Sequence, residues 1–286
     1  LNSILLIIFS LSLYTTAQGQ DIGYRKKSAY HAFLPLGSES ARILNRLEIS
    51  QREFLPINTD YAPYNRRFLI FDSSLNCDSE LPYFKSSPVT DFQRQYIHRE
   101  HFMEPYNCLP DSSLHPIKNL LNKDKVWFYN TPAYFLSSTF NDGSYLVANP
   151  VLSFTGERDI ENDEWITRNT RGVELFGSLN NKIGFYTYFT ENQRLLPRRY
   201  AQYLNEYDVI PGEGFYKEFK ENGVDFSDAR AYVTFNATEY INFQFGRDRN
   251  FIGQGKRSLF FSDFTAPHLF LKINTQIGKF TYQNLF

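Results

Sequence analysis

The chain has 286 residues, a formal net charge of −1 and a pI near 6.6, so it carries no global basic field for nucleic acid. Length is ample for a buried core. Its 28 Phe and 20 Tyr outweigh two Trp and one Met, yet mean hydropathy is −0.43, a pairing that alternating strands with one apolar face produce in a membrane barrel or in a soluble β-sandwich.

Residues 1–20 hold the apolar run Ile4 to Phe9, extended to Leu13, followed by Tyr14-Thr-Thr-Ala-Gln-Gly-Gln20. That is the length and flank of a secretory signal with a small-residue cleavage zone, truncated because no charged start or initiator Met precedes it, and it is too short for a transmembrane helix. Export would place Cys77 and Cys108 in an oxidising compartment, where a disulfide and two free buried thiols both stand open. Residues 21–124 read as a small helical, loop-rich module, periplasmic or plug-like. Within it Ser38 is an N-cap candidate ahead of Ile43, Leu44 and Leu47 on one helix side, with further helix candidates at 92–103 and 112–121.

From residue 125 to 286 the pattern changes to period two, in segments of membrane-strand length, which predicts the first part of an antiparallel outer-membrane β-barrel. Val173, Leu175, Gly177 and Leu179 alternate with polar or aromatic partners, as do Ile183, Phe185, Thr187 and Phe189. A turn at Asn180-Asn181-Lys182 pairs Leu179 with Ile183 and Val173 with Phe189. A turn at Ala237-Thr238-Glu239 would set Phe235 against Ile241 and Val233 against Phe243, with Tyr232, Thr234, Asn242 and Gln244 on the opposite face. A last hairpin joins Leu269–Ile273 to Gly278–Tyr282, and the chain reads as a fragment cut at both ends, the alternative being a genuine final strand ending on Phe286.

Between two of these strands lies Gly246 to Asp263, a connection of about twenty residues that greatly exceeds a hairpin turn and is expected to be functional. Arg247, Arg249, Lys256 and Arg257 face only Asp248 and Asp263 in charge, and Gly253 and Gly255 permit positive φ or close backbone approach. Arg257 stands where a phosphate-binding P-loop needs Ser or Thr, and Ser258 takes the third glycine position of a dinucleotide fingerprint, so a nucleotide is excluded. The loop either binds an acidic sugar or lipid phosphate through its amides and cations, or braces a barrel with its cations paired to lumenal carboxylates.

Four blocks run in order: Asn169-Thr-Arg-Gly-Val-Glu174, Thr190-Glu-Asn-Gln193, Pro211-Gly-Glu-Gly214 and Gly246 to Asp263. Together they resemble the outer-membrane proteins described as gliding motility protein RemB, within the capsule-assembly Wzi-like family. The last block carries most of the likeness through Gly246, Arg247, Gly253, Gly255, Ser258, Leu259, Ser262 and Asp263. The resemblance implies a large antiparallel barrel behind a helical periplasmic element. It also implies a non-enzymatic role, with Wzi-like members acting as lectins for capsular polysaccharide and RemB-like ones serving gliding or adhesion. Candidate contacts for a polysaccharide or anion are Arg247, Arg249, Asn250, Gly253, Gly255, Lys256, Arg257 and Asp263, with Arg171 and Glu174 of the first block.

Other clusters read blandly. His98, His101 and Glu104 share a helix face but miss the zinc-protease spacings. The acidic stretches Glu157–Glu164 and Glu213–Asp228 show no tuned carboxylate pair of the kind a glycosidase needs. The sequence therefore points to a Gram-negative outer membrane. Expected partners are acidic or neutral surface polysaccharide, outer-membrane lipid and other cell-surface or motility proteins, with no nucleic acid, cofactor, metal or catalytic residue. An anion-selective porin and a secreted glycan-active β-sandwich enzyme are the rival readings.

Overall fold

A computed structural model describes residues 35–51, 61–64, 88–89, 92–93, 96, 135–139, 144–160, 163–180, 182–220, 222–238, 240–253, 258–262, 264–277 and 280–286. The signal segment, Cys77, Cys108, the His98 trio and the 112–121 helix candidate lie outside the described residues, as does most of the 92–103 candidate. Within residues 21–124, helix α1 (Glu39–Gln51) is described. Ser38 sits at its start, with the Ala41 amide donating to Ser38 Oγ at 3.4 Å, and Ile43 and Leu44 are buried. The short strand β1 (Tyr61–Ala62) follows, and the Tyr64 hydroxyl donates to Asn45 Oδ1 of α1 at 2.7 Å.

The remainder is mainly antiparallel β. Its strands are β2 (Leu136–Thr139), β3 (Tyr145–Asp159), β4 (Glu164–Leu179), β5 (Ile183–Leu195), β6 (Lys217–Phe219), β7 (Gly223–Asn236), β8 (Ile241–Asp248), β9 (Phe251–Ile252), β10 (His268–Ile277) and β11 (Phe280–Leu285). A nine-stranded sheet runs in the order β11-β10-β8-β7-β5-β4-β3-β2, and β6 pairs with the start of β7, where β8 does not reach. Among the described residues this sheet is open, its edges being β11 and β2, and no described helix is long and apolar enough to cross a membrane.

The β4–β5 hairpin has the expected register, Leu179 opposite Ile183 and Val173 opposite Phe189. Asn180 takes φ of 49°, a conformation Asn tolerates, and its amide donates to Ser144 Oγ at 2.8 Å. In the β7–β8 hairpin the register departs from expectation: Phe235 faces Phe243 and Val233 faces Phe245, so the turn is two residues longer. Side chains account for the shift. Thr238 Oγ1 accepts from the amides of Tyr240 and Ile241 at 3.2 and 3.1 Å, and Asn242 donates to Thr234 Oγ1 at 2.7 Å and Asn236 Oδ1 at 3.0 Å. A slip of two residues leaves every side chain on its own face.

Those faces are unequal. The one carrying Tyr186, Thr190, Asn192, Tyr232, Thr234, Asn242, Gln244 and Lys272 is buried, whereas Val173, Leu179, Phe189, Val233, Phe235 and Phe245 on the other are exposed. Tyr145, Val147, Phe176, Tyr186 and Tyr232 form an aromatic belt within the buried face, with Tyr186 and Tyr232 stacked at 5.2 Å. Between β5 and β7 the chain makes an excursion containing α2 (Arg198–Tyr207), which the period-two reading missed. Leu196, Leu204 and Ile210 of this excursion pack on Val224 and Phe226, so it folds over the end of the polar face.

At Gly246 the β7 and β8 backbones come so close that a Cβ would lie 2.3 Å from the Ala231 carbonyl oxygen and 2.4 Å from Tyr232 Cα, with φ at +155°. Gly246→Ala is expected to destabilise the protein by about 1–3 kcal/mol, the range for overpacking, read as a lower midpoint of denaturant unfolding.

Candidate functional site

Strand alternation places Arg168, Thr170 and Glu174 of β4, Tyr188, Thr190 and Asn192 of β5, Asp228 and Arg230 of β7, and Asp248 of β8 on the polar face. Arg230 stands at the centre. Its Nε and Nη2 donate to Asp228, two residues earlier on the same face, at 3.0 and 2.7 Å; Asp248 lies 3.9 Å away, and the guanidinium covers the Tyr188 ring at 4.4 Å. Arg249, just past β8, has Nη2 at 3.6 Å from Asp228 and donates to Glu213 Oε2 at 3.0 Å and the Gly212 carbonyl at 2.9 Å. Glu213 in turn lies 3.7 Å from Arg168, which donates to Asn192 Oδ1 at 3.0 Å, and the Thr170 hydroxyl donates to that same oxygen at 2.8 Å.

The chain of contacts unites the four sequence blocks. Thr170 comes from the first, Thr190 and Asn192 from the second, Glu213 from the third and Arg249 from the last, and Asn192 Nδ2 donates to Thr190 Oγ1 at 3.1 Å. Arg168, Arg230 and Arg249 are balanced by Asp228, Asp248 and Glu213. A buried cation stays charged at tolerable cost when a carboxylate shares its site. Arg249 is thus engaged internally, and its described role is to tie the end of β8 to the Pro211–Gly214 turn.

Searches of this chain against protein-family models, curated proteins and solved structures return no match. What the residues can do therefore rests on their own geometry.

The candidate contacts do not converge. Arg171 and Glu174 lie on opposite faces of β4, because an odd separation along a strand reverses direction. Arg171 pairs with Glu191 at 3.0 Å on the exposed face, while Glu174 accepts from the Tyr186 hydroxyl at 3.1 Å on the buried one. Arg247 belongs to β8 rather than to a loop, lies on the exposed face and donates to the Ala229 carbonyl at 2.8 Å. Asn250 is buried with its amide nitrogen 3.4 Å from His268 Nε2, and His268 stacks on Phe261 at 5.4 Å. Gly253 takes φ of +126° beside Ser258, whose hydroxyl donates to the Ile252 carbonyl. Gly255, Lys256, Arg257 and Asp263 lie outside the described residues.

The expected long loop is also shorter than its sequence span. Strand β8 continues through Asp248, and β9 pairs Phe251 with Ala62 and Ile252 with Tyr61 of β1. Arg230 and Arg168 were not legible as network members, although Asp228-x-Arg230 at spacing two on the polar parity of β7 was the available signal. Of the acidic stretches, Asp163 pairs with Arg158 on the exposed β3–β4 hairpin and Asp225 accepts from Gln193 at 3.4 Å, whereas Glu213 and Asp228 belong to the buried network rather than to a solvated loop.

Asp228→Ala leaves Arg230 and Arg249 without their shared carboxylate and is expected to cost about 3 kcal/mol in denaturant unfolding, whereas Arg171→Gln on the exposed face should cost under about 1 kcal/mol. Glu213→Gln should loosen the α2 excursion, seen as faster tryptic cleavage after Arg198 and Arg199 with β4 and β5 still protected.

Proposed function

We propose that this chain forms part of an outer-membrane β-barrel that works without covalent chemistry, holding polysaccharide at the cell surface or supporting adhesion and gliding. The observation that carries the reading is the inversion of the two sheet faces, polar buried and apolar exposed. Val233, Phe235 and Phe245 are 50, 43 and 57% exposed, and each such side chain would gain roughly 1.5–3 kcal/mol from leaving water. A contiguous apolar surface of this kind marks an interaction face, and lipid is the partner whose thickness fits.

The position of the apolar band supports lipid over a second protein layer. On β4 the band runs from Leu179 to Val173, and the Arg171–Glu191 pair stands above it. Its upper edge is higher on β3, where exposed Leu152 and Phe154 lie opposite Arg171 and Asn169, and lower on β8, at Phe245, with Leu269 of β10 two residues above that level opposite Arg247. Its lower edge falls from Leu179 on β4 to Ile277 and Phe280 on β10 and β11. A level slab crossed by tilted strands produces this diagonal shift from strand to strand. The 10 residues of β10, 13 of β5 and 14 of β7 meet the roughly 9–11 that a tilted spanning strand needs.

Orientation follows from loop length. The β4–β5, β7–β8 and β10–β11 turns are short and lie at one end; the α2 excursion and the β8–β10 connection lie at the other, together with the short turn of the β3–β4 hairpin. Barrels of this class put short turns in the periplasm and long connections outside, so α2 and the basic loop would meet the cell surface. The charge balance of the buried network suits a braced, non-conducting barrel better than an anion-selective ring.

In cells making the full-length protein, we expect it in the outer-membrane fraction, requiring detergent for extraction and migrating faster on gels unheated than boiled. Val233→Arg, within the band, should cost about 2–4 kcal/mol in folding from urea into lipid vesicles, and Ser227→Arg, on the same face of β7 opposite Glu191 and above the band, no more than about 1 kcal/mol. Equal penalties, or extraction into plain buffer, would return the chain to the β-sandwich reading. Deleting the gene should release surface polysaccharide into the medium, and unchanged retention would leave adhesion and gliding as the remaining role.

A further inference from the structure

The β8–β10 connection is fastened from more than one side, and one of its ties comes from the far end of the chain. At its start, Arg249 joins Glu213 of the α2 excursion. At β9 it folds back on itself, the Ile252 amide donating to the Phe261 carbonyl at 3.1 Å and the Ser258 hydroxyl to the Ile252 carbonyl. Along its other edge β9 pairs with β1, Phe251 opposite Ala62 and Ile252 opposite Tyr61. Backbone groups of successive strand residues point to alternate edges, so one short strand serves both neighbours. Nor is β1 a loose end: Tyr64 is buried just beyond it, and its hydroxyl donates to Asn45 Oδ1 of α1 at 2.7 Å, where Ile43 and Leu44 are buried too.

The β1–β9 tie has the makings of one that opens. A ladder of two residues is too short to hold by itself. The folded connection also leaves polar groups unmet, since Arg249 Nε and Asn250 Oδ1, immediately before β9, are buried without a hydrogen-bond partner. An unmet buried donor or acceptor is costly, and water would reach both if the connection lifted. Immediately after β9, Gly253 takes φ of +126°, a conformation that costs glycine little, and an element end of this kind serves as a pivot.

We propose that α1 and β1 form a releasable strap on the β8–β10 connection, with β1 as the clasp. Paired with β9, the strap holds the connection folded at the end of the sheet; withdrawn, it frees the connection to swing out on Gly253. The tie from Tyr64 to Asn45 makes a displacement of α1 a displacement of the clasp, so the position of the N-terminal segment sets the freedom of a connection far along the chain. The inference goes beyond the membrane reading and stands whether or not the exposed sheet face meets lipid.

The test uses the full-length protein in detergent, with Cys77→Ala and Cys108→Ala removing the native thiols. Antiparallel partners have Cα atoms about 4.5–5.5 Å apart, within the span of a disulfide, so Tyr61→Cys/Ile252→Cys should cross-link on mild oxidation. Tyr61→Cys/Thr281→Cys, which pairs β1 with the opposite end of the sheet, should not. Release is read as tryptic cleavage after Lys256 and Arg257, located by mass spectrometry, while Arg194 within β5 stays uncut as the sign of an intact sheet. Ala62→Pro removes a backbone donor from β1 and should speed cleavage of the connection by about tenfold or more; oxidising the 61–252 pair should slow it by about tenfold or more against the reduced form. Failure of that pair to cross-link, or equal cross-linking at position 281, overturns the clasp. Cleavage equally slow in the oxidised and reduced forms makes the join permanent and overturns release. Wild-type cleavage in Ala62→Pro with Arg194 still protected overturns the hold on the connection, and if that variant does not fold the oxidised and reduced forms decide alone. Extraction into plain buffer would remove the membrane wall and leave the strap, whereas loss of the strap leaves the wall.

Discussion

On the polar face of the sheet Arg168, Arg230 and Arg249 are held by Asp228, Asp248 and Glu213, and the neighbouring architecture depends on their staying paired. Arg230 is only 11% exposed and Asp228 8%, so neither can rely on water for solvation. Bringing such ions out of water costs several kcal/mol each unless an opposite charge is held close. Strand register supplies the closeness: β7 places Arg230 two residues from Asp228, and β8 delivers Asp248 and Arg249 to the same end. Glu213 then ties the α2 excursion to both β8 and β4 through Arg249 and Arg168. The network thereby couples a distant turn to the sheet and joins blocks that are far apart in the chain.

This pairing redirects the functional question. A loop rich in Arg and Lys suggests an anion site, but the charge of Arg249 is already shared with two carboxylates through Nη2, while its buried Nε has no hydrogen-bond partner. Arg171 and Arg247 lie on the other face, where Arg171 meets Glu191 and Arg247 a backbone carbonyl.

The exposed face follows the opposite logic. Its residues are Val, Leu, Ile and Phe in cross-strand rows, such as Leu179, Ile183, Phe235, Phe243 and Ile273, which would be a core in a soluble sandwich. Here the core-like tyrosine belt, the amides and the ions occupy the buried side. On the proposed reading lipid takes the place of a second layer, and the same alternation that makes a sandwich unstable in this orientation makes a barrel wall.

The sequence by itself determined the elements whose signal is local. Period two marked β4, β5, β7, β8 and β10, it separated Tyr232, Thr234, Asn242 and Gln244 from Val233 and Phe235, and apolar matching across Asn180–Lys182 set the β4–β5 register. Ser38 marked the start of α1 for the same reason, since a cap is a contact between near neighbours. Tertiary structure alone decided the rest. The β7–β8 register depends on hydrogen bonds of Thr238 and Asn242 that hydrophobic matching cannot see, because a shift of two keeps each face intact. The α2 helix, flanked by strands, was hidden by a search for alternation, though its tyrosines carry helical spacing. Above all, whether Arg249 is a free cation or a brace depends on Glu213 and Asp228, residues brought to it only when β5, β7 and β8 align, and charge pairing across such separations has no period in the chain.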